Sequence, residues 1–410
     1  MRGTAIALAG VIALISQPSF GTETFTKVAD TATAAPGESG TLSQFHTAEL
    51  SGNNLTFLAF FSGGFGTYTA KVSPNGVFKL IDTGDTVPGH GAVGGLGNNS
   101  GISGNDVAVL VLSGVNGIYH GTVGSAGITK IVESNVNAPG TTSPFTTFFN
   151  PFVSGNNAAF KGYYNNSNSQ GIYTATLAGT GLAKVVDFSN TVPGQSNFTQ
   201  LESPTISGNN IVFWGKGTTD GIYAGTLGAI GASKIADHTD IVNGHSFTAF
   251  NNAPDVSGNM VAFQGVFSGN SGVYSATIGT SGITKIAEAG DTAPGVGTFT
   301  AVQDPVTNGR DVAFIGNHKV AGVGRSGLWI EHDGTITPVI DYGNSLFGST
   351  ISSLSMGNAC FDGYRLAFNY SLANGTNGIA VVDLPEPGMA GLLALGAFLT
   401  LRRRSRQPKK

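Results

Sequence analysis

An acidic residue followed three positions later by Asp or Asn recurs along this chain, as Asp82/Asp85, Asp187/Asn190, Asp237/Asp240, Glu288/Asp291 and Asp341/Asn344. Carboxylates at such spacing suit a hard cation that takes about six to eight oxygen ligands, which makes Asp82, Asp85, Asp237, Asp240, Glu288 and Asp291 the Ca²⁺ candidates. The same residues also end short apolar runs, where a side-chain oxygen satisfies loop amides through an Asx turn. Repetition favours the turn, because every repeat needs one. The expectation is therefore no resident cofactor, with Ca²⁺ kept as the alternative.

Other reactive residues are sparse. His46, His90, His120, His238, His245, His318 and His332 show no spacing of the zinc-ligand type. His238 and His245 share a loop with Asp237 and Asp240, on a turn rather than a helix face. No Gly-x-Ser-x-Gly elbow or phosphate-binding loop is present, and Gly94-Gly95-Leu96-Gly97 reads as loop glycine with no helix after it. Cys360 is the single cysteine, so no internal disulfide exists, and its neighbours Ala359 and Phe361 mark it as a small buried strand residue.

Two connections stand out as specific to one place in the chain. One carries Tyr163, Tyr164, Asn165 and Asn166; the other carries His318, Lys319 and Arg325. Tyrosine beside amide side chains suits sugar recognition, the ring covering an apolar face while amides hold hydroxyls. The plainer reading is that both are solvated insertions.

The elements that must position these residues come from an internal repeat. A short apolar run recurs at Thr26–Asp30, Phe78–Asp82, Thr129–Glu133, Ala183–Asp187, Ser233–Asp237, Thr284–Glu288 and Thr337–Asp341. Turn glycines recur at Gly52, Gly104, Gly155, Gly208, Gly258, Gly309 and Gly363, and a Gly-Ile-Tyr-like triplet opens at Gly66, Gly117, Gly171, Gly221, Gly272, Gly327 and Gly378. A period near 50 residues with four short strands per unit matches the blades of a β-propeller. Glycine at 62 of 410 residues and only 11% charged residues agree with an all-β chain rich in turns. Pro-Gly pairs such as Pro88-Gly89 and Pro193-Gly194 punctuate the links between units.

The frame of the repeat predicts how the ring closes. The body begins with a fourth-type strand at Thr26–Asp30 and ends with a third-type strand at Gly378–Leu384. The last unit lacks its outer strand, and the first strand is the spare. Pairing the two closes seven blades and removes exposed sheet edges. An open β-solenoid is the alternative.

The ends carry addresses. Arg2, the apolar run Ala5–Ile15 and the small-residue exit through Ser19 and Gly21 read as a signal peptide over residues 1–21, with the propeller over 22–384. Residues 385–410 hold Pro385-Glu386-Pro387, the apolar run Met389–Leu401 as a short helix, and a basic cluster with Arg402, Arg403 and Arg404. Thirteen helical residues reach about 20 Å, short of a roughly 30 Å hydrocarbon core, so the span is marginal and its insertion transient. These three elements in this order resemble the PEP-CTERM sorting signal of exosortase substrates. The resemblance implies recognition and processing by a membrane-embedded, exosortase-type cysteine protease, in Gram-negative bacteria that make extracellular polysaccharide.

Without the basic ends the body keeps 13 basic against 23 acidic residues, a balance that excludes nucleic acid as a partner. The leading expectation is an exported, surface-anchored or released, non-enzymatic propeller that binds or builds the cell envelope or an extracellular polysaccharide matrix. The alternative is a polysaccharide hydrolase or lyase working in the central funnel. Carboxylates converging there with a His, Tyr or Arg would favour the enzyme. Small repeat-equivalent residues would favour the binding role.

Overall fold

A computed structural model describes residues 23–385, which form β-strands and turns with no helix among them. The expected signal peptide, Glu386-Pro387, the apolar tail helix and the basic cluster lie outside the described residues. The propeller unit is Phe25–Asp383.

Blade 3 shows the unit: strands Phe145–Ser154, Asn157–Tyr164, Ser169–Thr176 and Ala183–Asp187 pair antiparallel in that order, from inner to outer. The second and third strands are apolar on both faces because each is sandwiched between neighbouring blades; Ala158, Ala159, Phe160, Ile172 and Tyr173 are all buried. The Gly-Ile-Tyr triplet has a packing cause. The tyrosine ring folds back over the glycine, so a Cβ on Gly171 would sit 2.8 Å from ring carbons of Tyr173, and one on Gly221 would sit 2.6 Å from the Ala236 carbonyl oxygen. A phenylalanine at or just before the inner strand meets that ring edge-on in four blades: Phe145–Tyr173 at 4.8 Å, Phe198–Tyr223 at 5.4 Å, Phe247–Tyr274 at 4.9 Å and Phe299–Trp329 at 5.0 Å.

Outer strands fall where the repeat places them, with the first of them running from Thr24 to Asp30 and the sixth blade's extended back to Thr335. Links between blades turn at Pro-Gly; in Val192-Pro193-Gly194-Gln195 the Gln195 amide closes on the Val192 carbonyl at 3.0 Å, with Gly194 at φ +75° as a type II turn requires. Gly95–Ser103 corrects one expectation: those glycines belong to the inner strand of blade 2, where the Cβ of Gly97 would strike the Leu110 side chain at 2.8 Å.

The turn glycines also work between blades. The Ser51 hydroxyl accepts from Gly104 N at 2.9 Å, Ser103 from Gly155 N at 3.0 Å, Ser154 from Gly208 N at 2.8 Å and Ser207 from Gly258 N at 2.9 Å. Asp362 ends the belt by accepting from Gly52 N at 2.6 Å, which joins blade 7 to blade 1.

Closure follows the frame of the repeat. Blade 7 holds Ser349–Ser355, Arg365–Leu372 and Asn377–Asp383, and its outermost strand is Thr24–Asp30 from the other end of the chain. Thr31 N donates to Asn377 O at 3.0 Å, so the end of the first strand meets the start of the last, the antiparallel sense. Val28 and Ala29 are buried there, and Phe25 packs edge-on against Phe368 at 6.2 Å.

Candidate functional site

One layer of the inner strands is packed, whereas residues just upstream of it, such as Asn98, Phe149, Gln200 and Asn251, are exposed. Counted three residues before each turn glycine, the inner strands place Glu49, Gly101, Phe152, Thr205, Asp255 and Val306 at one repeat position, which Cys360 takes in blade 7, and all seven are buried. They reach the axis because the inner strands lose register just upstream, between Leu96/Ser100, Phe149/Phe152, Asn251/Asp255 and Gln303/Val306. Pro151, Pro254 and Pro305 occupy three of these irregularities and Pro204 the break between Gln200–Leu201 and Thr205–Ser207, where a missing N–H disturbs no ladder bond. In blade 7 the segment 356–360 replaces the bulge and crosses to its neighbours: Leu50 N donates to Ala359 O at 3.0 Å, and Ala359 packs on the core between blades 3 and 4.

Three ionisable groups of this layer meet electrostatically. Burial pushes the Asp255 carboxyl up to about 6 against amide hydrogen bonds from Thr307, Val256 and Ala359, the first at 2.8 Å. Burial, aided by the charge of Asp255, pushes Glu49 well above the carboxylate range, and neither of its oxygens has a hydrogen-bond partner among the described residues. Cys360 is raised likewise, first by burial and then by Asp255 and Glu49. Cys360 is buried as its neighbours suggest, at the end of the crossing segment rather than within a strand. Sequence reasoning missed Glu49 and Asp255; the signal was there, since only these two blades put a carboxylate at that repeat position.

Of the carboxylates named as Ca²⁺ candidates, Asp82, Asp237 and Glu288 end outer strands, Asp85, Asp240 and Asp291 lie in the turns after them, and all are engaged. Asp85 Oδ2 accepts from Asp82 N at 3.0 Å, Asp240 from Asp237 N at 2.8 Å and Asp291 from Glu288 N at 2.8 Å. Lys79 lies 3.1 Å from Asp82 and 3.2 Å from Asp85, Lys234 3.2 Å from Asp237, and Lys285 2.9 Å from Asp291. Asp237 is held below its usual range: burial opposes this, but Thr239 and Lys234 outweigh it. No group of three or more candidate metal ligands converges among the described residues.

The two singled-out connections lie on the face that carries the Pro-Gly links, as the contact of Thr219 N with Gln195 Oε1 at 2.8 Å illustrates for blade 4. Their residues divide. Tyr164 is buried and donates to Asp187 at 3.2 Å, so it belongs to the core rather than to a binding surface. His318 is also buried, edge-on to Trp329 with Nε2 3.1 Å from Asp341, because the long hairpin folds it under the blade. Asn165 and Asn166 are exposed in a left-handed turn (φ +54° and +53°), and Lys319 is exposed. Tyr163 is half-buried at the funnel mouth, its ring 5.4 Å from Phe149 and the Lys161 ammonium over both rings; Lys161 pairs with Glu202 at 2.7 Å. Arg325 lies over the Tyr342 ring at 5.8 Å, at the edge of a cleft beside blade 7.

Fold and inner strands together define a closed seven-bladed β-propeller with one packed inner layer and exposed polar and aromatic groups beside it. The chain belongs to a family of unknown function (DUF7453), whose profile matches residues 106–391. No curated protein matches it. Among solved structures it is similar to the β-propeller domain of the Trilobed protease from Pyrococcus furiosus, which has an open velcro topology, at 11% identity and TM-score 0.54 over 84% of this chain and 97% of that one. It is also similar to a prolyl endopeptidase (12%, TM-score 0.51, 88% of this chain but 51% of that one) and to an oligogalacturonate lyase in complex with manganese (12%, TM-score 0.50, 89% and 97%). At such identities the likeness concerns the fold alone.

Proposed function

We propose that this protein is an exported, non-catalytic propeller that binds polysaccharide of the cell envelope or extracellular matrix through its Pro-Gly face. The observation that carries the reading is the set of exposed hydroxyl, amide and aromatic groups on the inner strands and their links, among them Asn98, Phe149, Asn165, Asn166, Asn251 and Ser353, beside the half-buried Tyr163. Stacking rings with neighbouring amides are the groups that hold sugars. The sorting tail agrees with a site of action outside the cell, with an exosortase-type protease as the processing partner. The test is a glycan array probed with the purified protein, followed by incubation of any bound glycan and measurement of new chain ends. Binding without cleavage is the expected result. Cleavage that disappears in Glu49→Gln and Asp255→Asn would instead favour a hydrolase or lyase, the reading that the convergence of these carboxyls supports.

A further inference from the structure

Blade 7 differs from the others at its inner strand. Ser352, Ser353 and Ser355 of Ser349–Ser355 are exposed, so this strand stands as a hydroxyl-bearing ridge on the rim. Strand alternation sends Ser353 and Ser355 to one side and Leu354 to the other, while Ser352 is the extra residue of a bulge between Ile351 and Ser353. A cleft of about 210 Å³ lies on the first side, toward blade 1, and one of about 240 Å³ on the second, toward blade 6; Ser353 borders both. Together they fall in the size range of small-ligand sites.

The two clefts offer different chemistry. The one toward blade 1 is neutral, lined by Gln44, Ser371, Asn377 and the buried pair Asn369 and Tyr370. Asn369 Nδ2 is held by the Phe45 and His46 carbonyls, which leaves Asn369 Oδ1 and the Tyr370 hydroxyl without partners among the described residues. Buried polar atoms without partners are costly, and a hydroxyl-rich ligand would satisfy them. The cleft toward blade 6 holds Arg325, whose Nε is enclosed and unpaired, and no carboxylate among the described residues lies within ion-pair range of it. On an acidic body such a free guanidinium, oriented by the Tyr342 ring, is a ready partner for an anionic group.

We infer that the ridge at Ser353 with its two flanking clefts binds an anionic oligosaccharide, a carboxylate or sulfate on Arg325 and neighbouring sugar hydroxyls across Ser353 on Asn369 and Tyr370. The inference rests on the polysaccharide-binding reading above and names its site and ligand class. Calorimetric titration of the full chain tests it with three tetrasaccharides: galacturonate, heparin-type sulfated, and uncharged cellotetraose. An anionic probe binds more tightly than cellotetraose, and whichever of the two anions binds identifies the acid group. Arg325→Gln then weakens that binding tenfold or more and Ser353→Trp abolishes it, while Ile230→Ala, an exposed site on blade 4, leaves it unchanged. Melting curves matched to the wild type show that the variants are folded. Anionic binding that survives both Arg325→Gln and Ser353→Trp, or a preference for cellotetraose, overturns the assignment. Binding lost only in Tyr163→Ala moves the site to blade 3 and leaves polysaccharide binding standing. No binding by any probe, and none on the array, removes both readings.

Discussion

Raising the pH from 4 to 7.5 should weaken this propeller, against the common pattern of acid destabilisation. Asp255 is fully buried at the axis and titrates at about 6 in the folded ring against 3.8 for the free side chain. It therefore binds its proton more tightly when folded. Its contribution is fully present below 3.8, falls as pH rises between the two values and is gone above 6. At 1.36 kcal/mol per pH unit the loss comes to about 3 kcal/mol. For roughly 360 residues unfolding together this lowers Tm by about 4 °C. Glu49 adds to the loss in the same direction. Asp30, Glu133, Asp187 and Asp237 are held below their usual range; their contributions persist at higher pH and are lost only as pH falls through their lowered values. The maximum of stability should thus lie near pH 4 to 5. His46, lowered by burial, works the other way below its usual 6.5, so a variant must isolate the axial term. Glu49→Gln removes one of the buried titrating groups and keeps the shape; it should raise stability at pH 7.5 and change it little at pH 4. Urea unfolding at half-unit pH steps on both proteins measures the difference. A difference that is flat with pH, or that grows toward acid, would refute the coupling of these carboxyls to folding.

Closure, packing, the turns between blades and the tail make four further predictions. Val28→Asp puts an unpaired carboxylate into the seam that joins the chain ends and should cost about 3 kcal/mol or more, seen as a lower urea midpoint together with aggregation on sizing columns. Gly221→Ala must push its new methyl against the Ala236 carbonyl, and calorimetry should show a loss of about 1–3 kcal/mol. Ser154→Ala hands the exposed Gly208 amide to water and should cost about 0.5 kcal/mol, whereas Asp362→Ala, removing a charged acceptor at the closure, should cost about 1 kcal/mol in the same urea assay. Replacing Pro385-Glu386-Pro387 by alanines should leave an unprocessed, membrane-held form, read by intact mass; an identical mature mass for variant and wild type would count against the sorting reading.

What could be read along the chain was whatever each repeat needs for itself. Pro-Gly links, Gly-Ile-Tyr triplets and the acidic strand ends answer to local demands: a positive φ, a ring folded over its own glycine, an amide to cap. Because these demands recur about every 50 residues, blade number and frame were legible, and with them the pairing of Thr24–Asp30 with Asn377–Asp383.

Other features belong to distances that no repeat encodes. The Ser-Gly-Asn turns look like hairpin chemistry, yet Ser154 spends its hydroxyl on Gly208, 54 residues on. Tyr164 and His318 sit in connections that sequence makes solvent-facing, but the blade edge folds over both, and each ends against an outer-strand carboxylate. Glu49 and Asp255 are some 200 positions apart and meet only because a closed ring brings one residue from every inner strand to a common axis. Spacing along a chain carries local conformation; the burial of those two carboxyls, and the unpaired Arg325 beside the serine ridge, arise from ring closure, which sets which side chains lose water together.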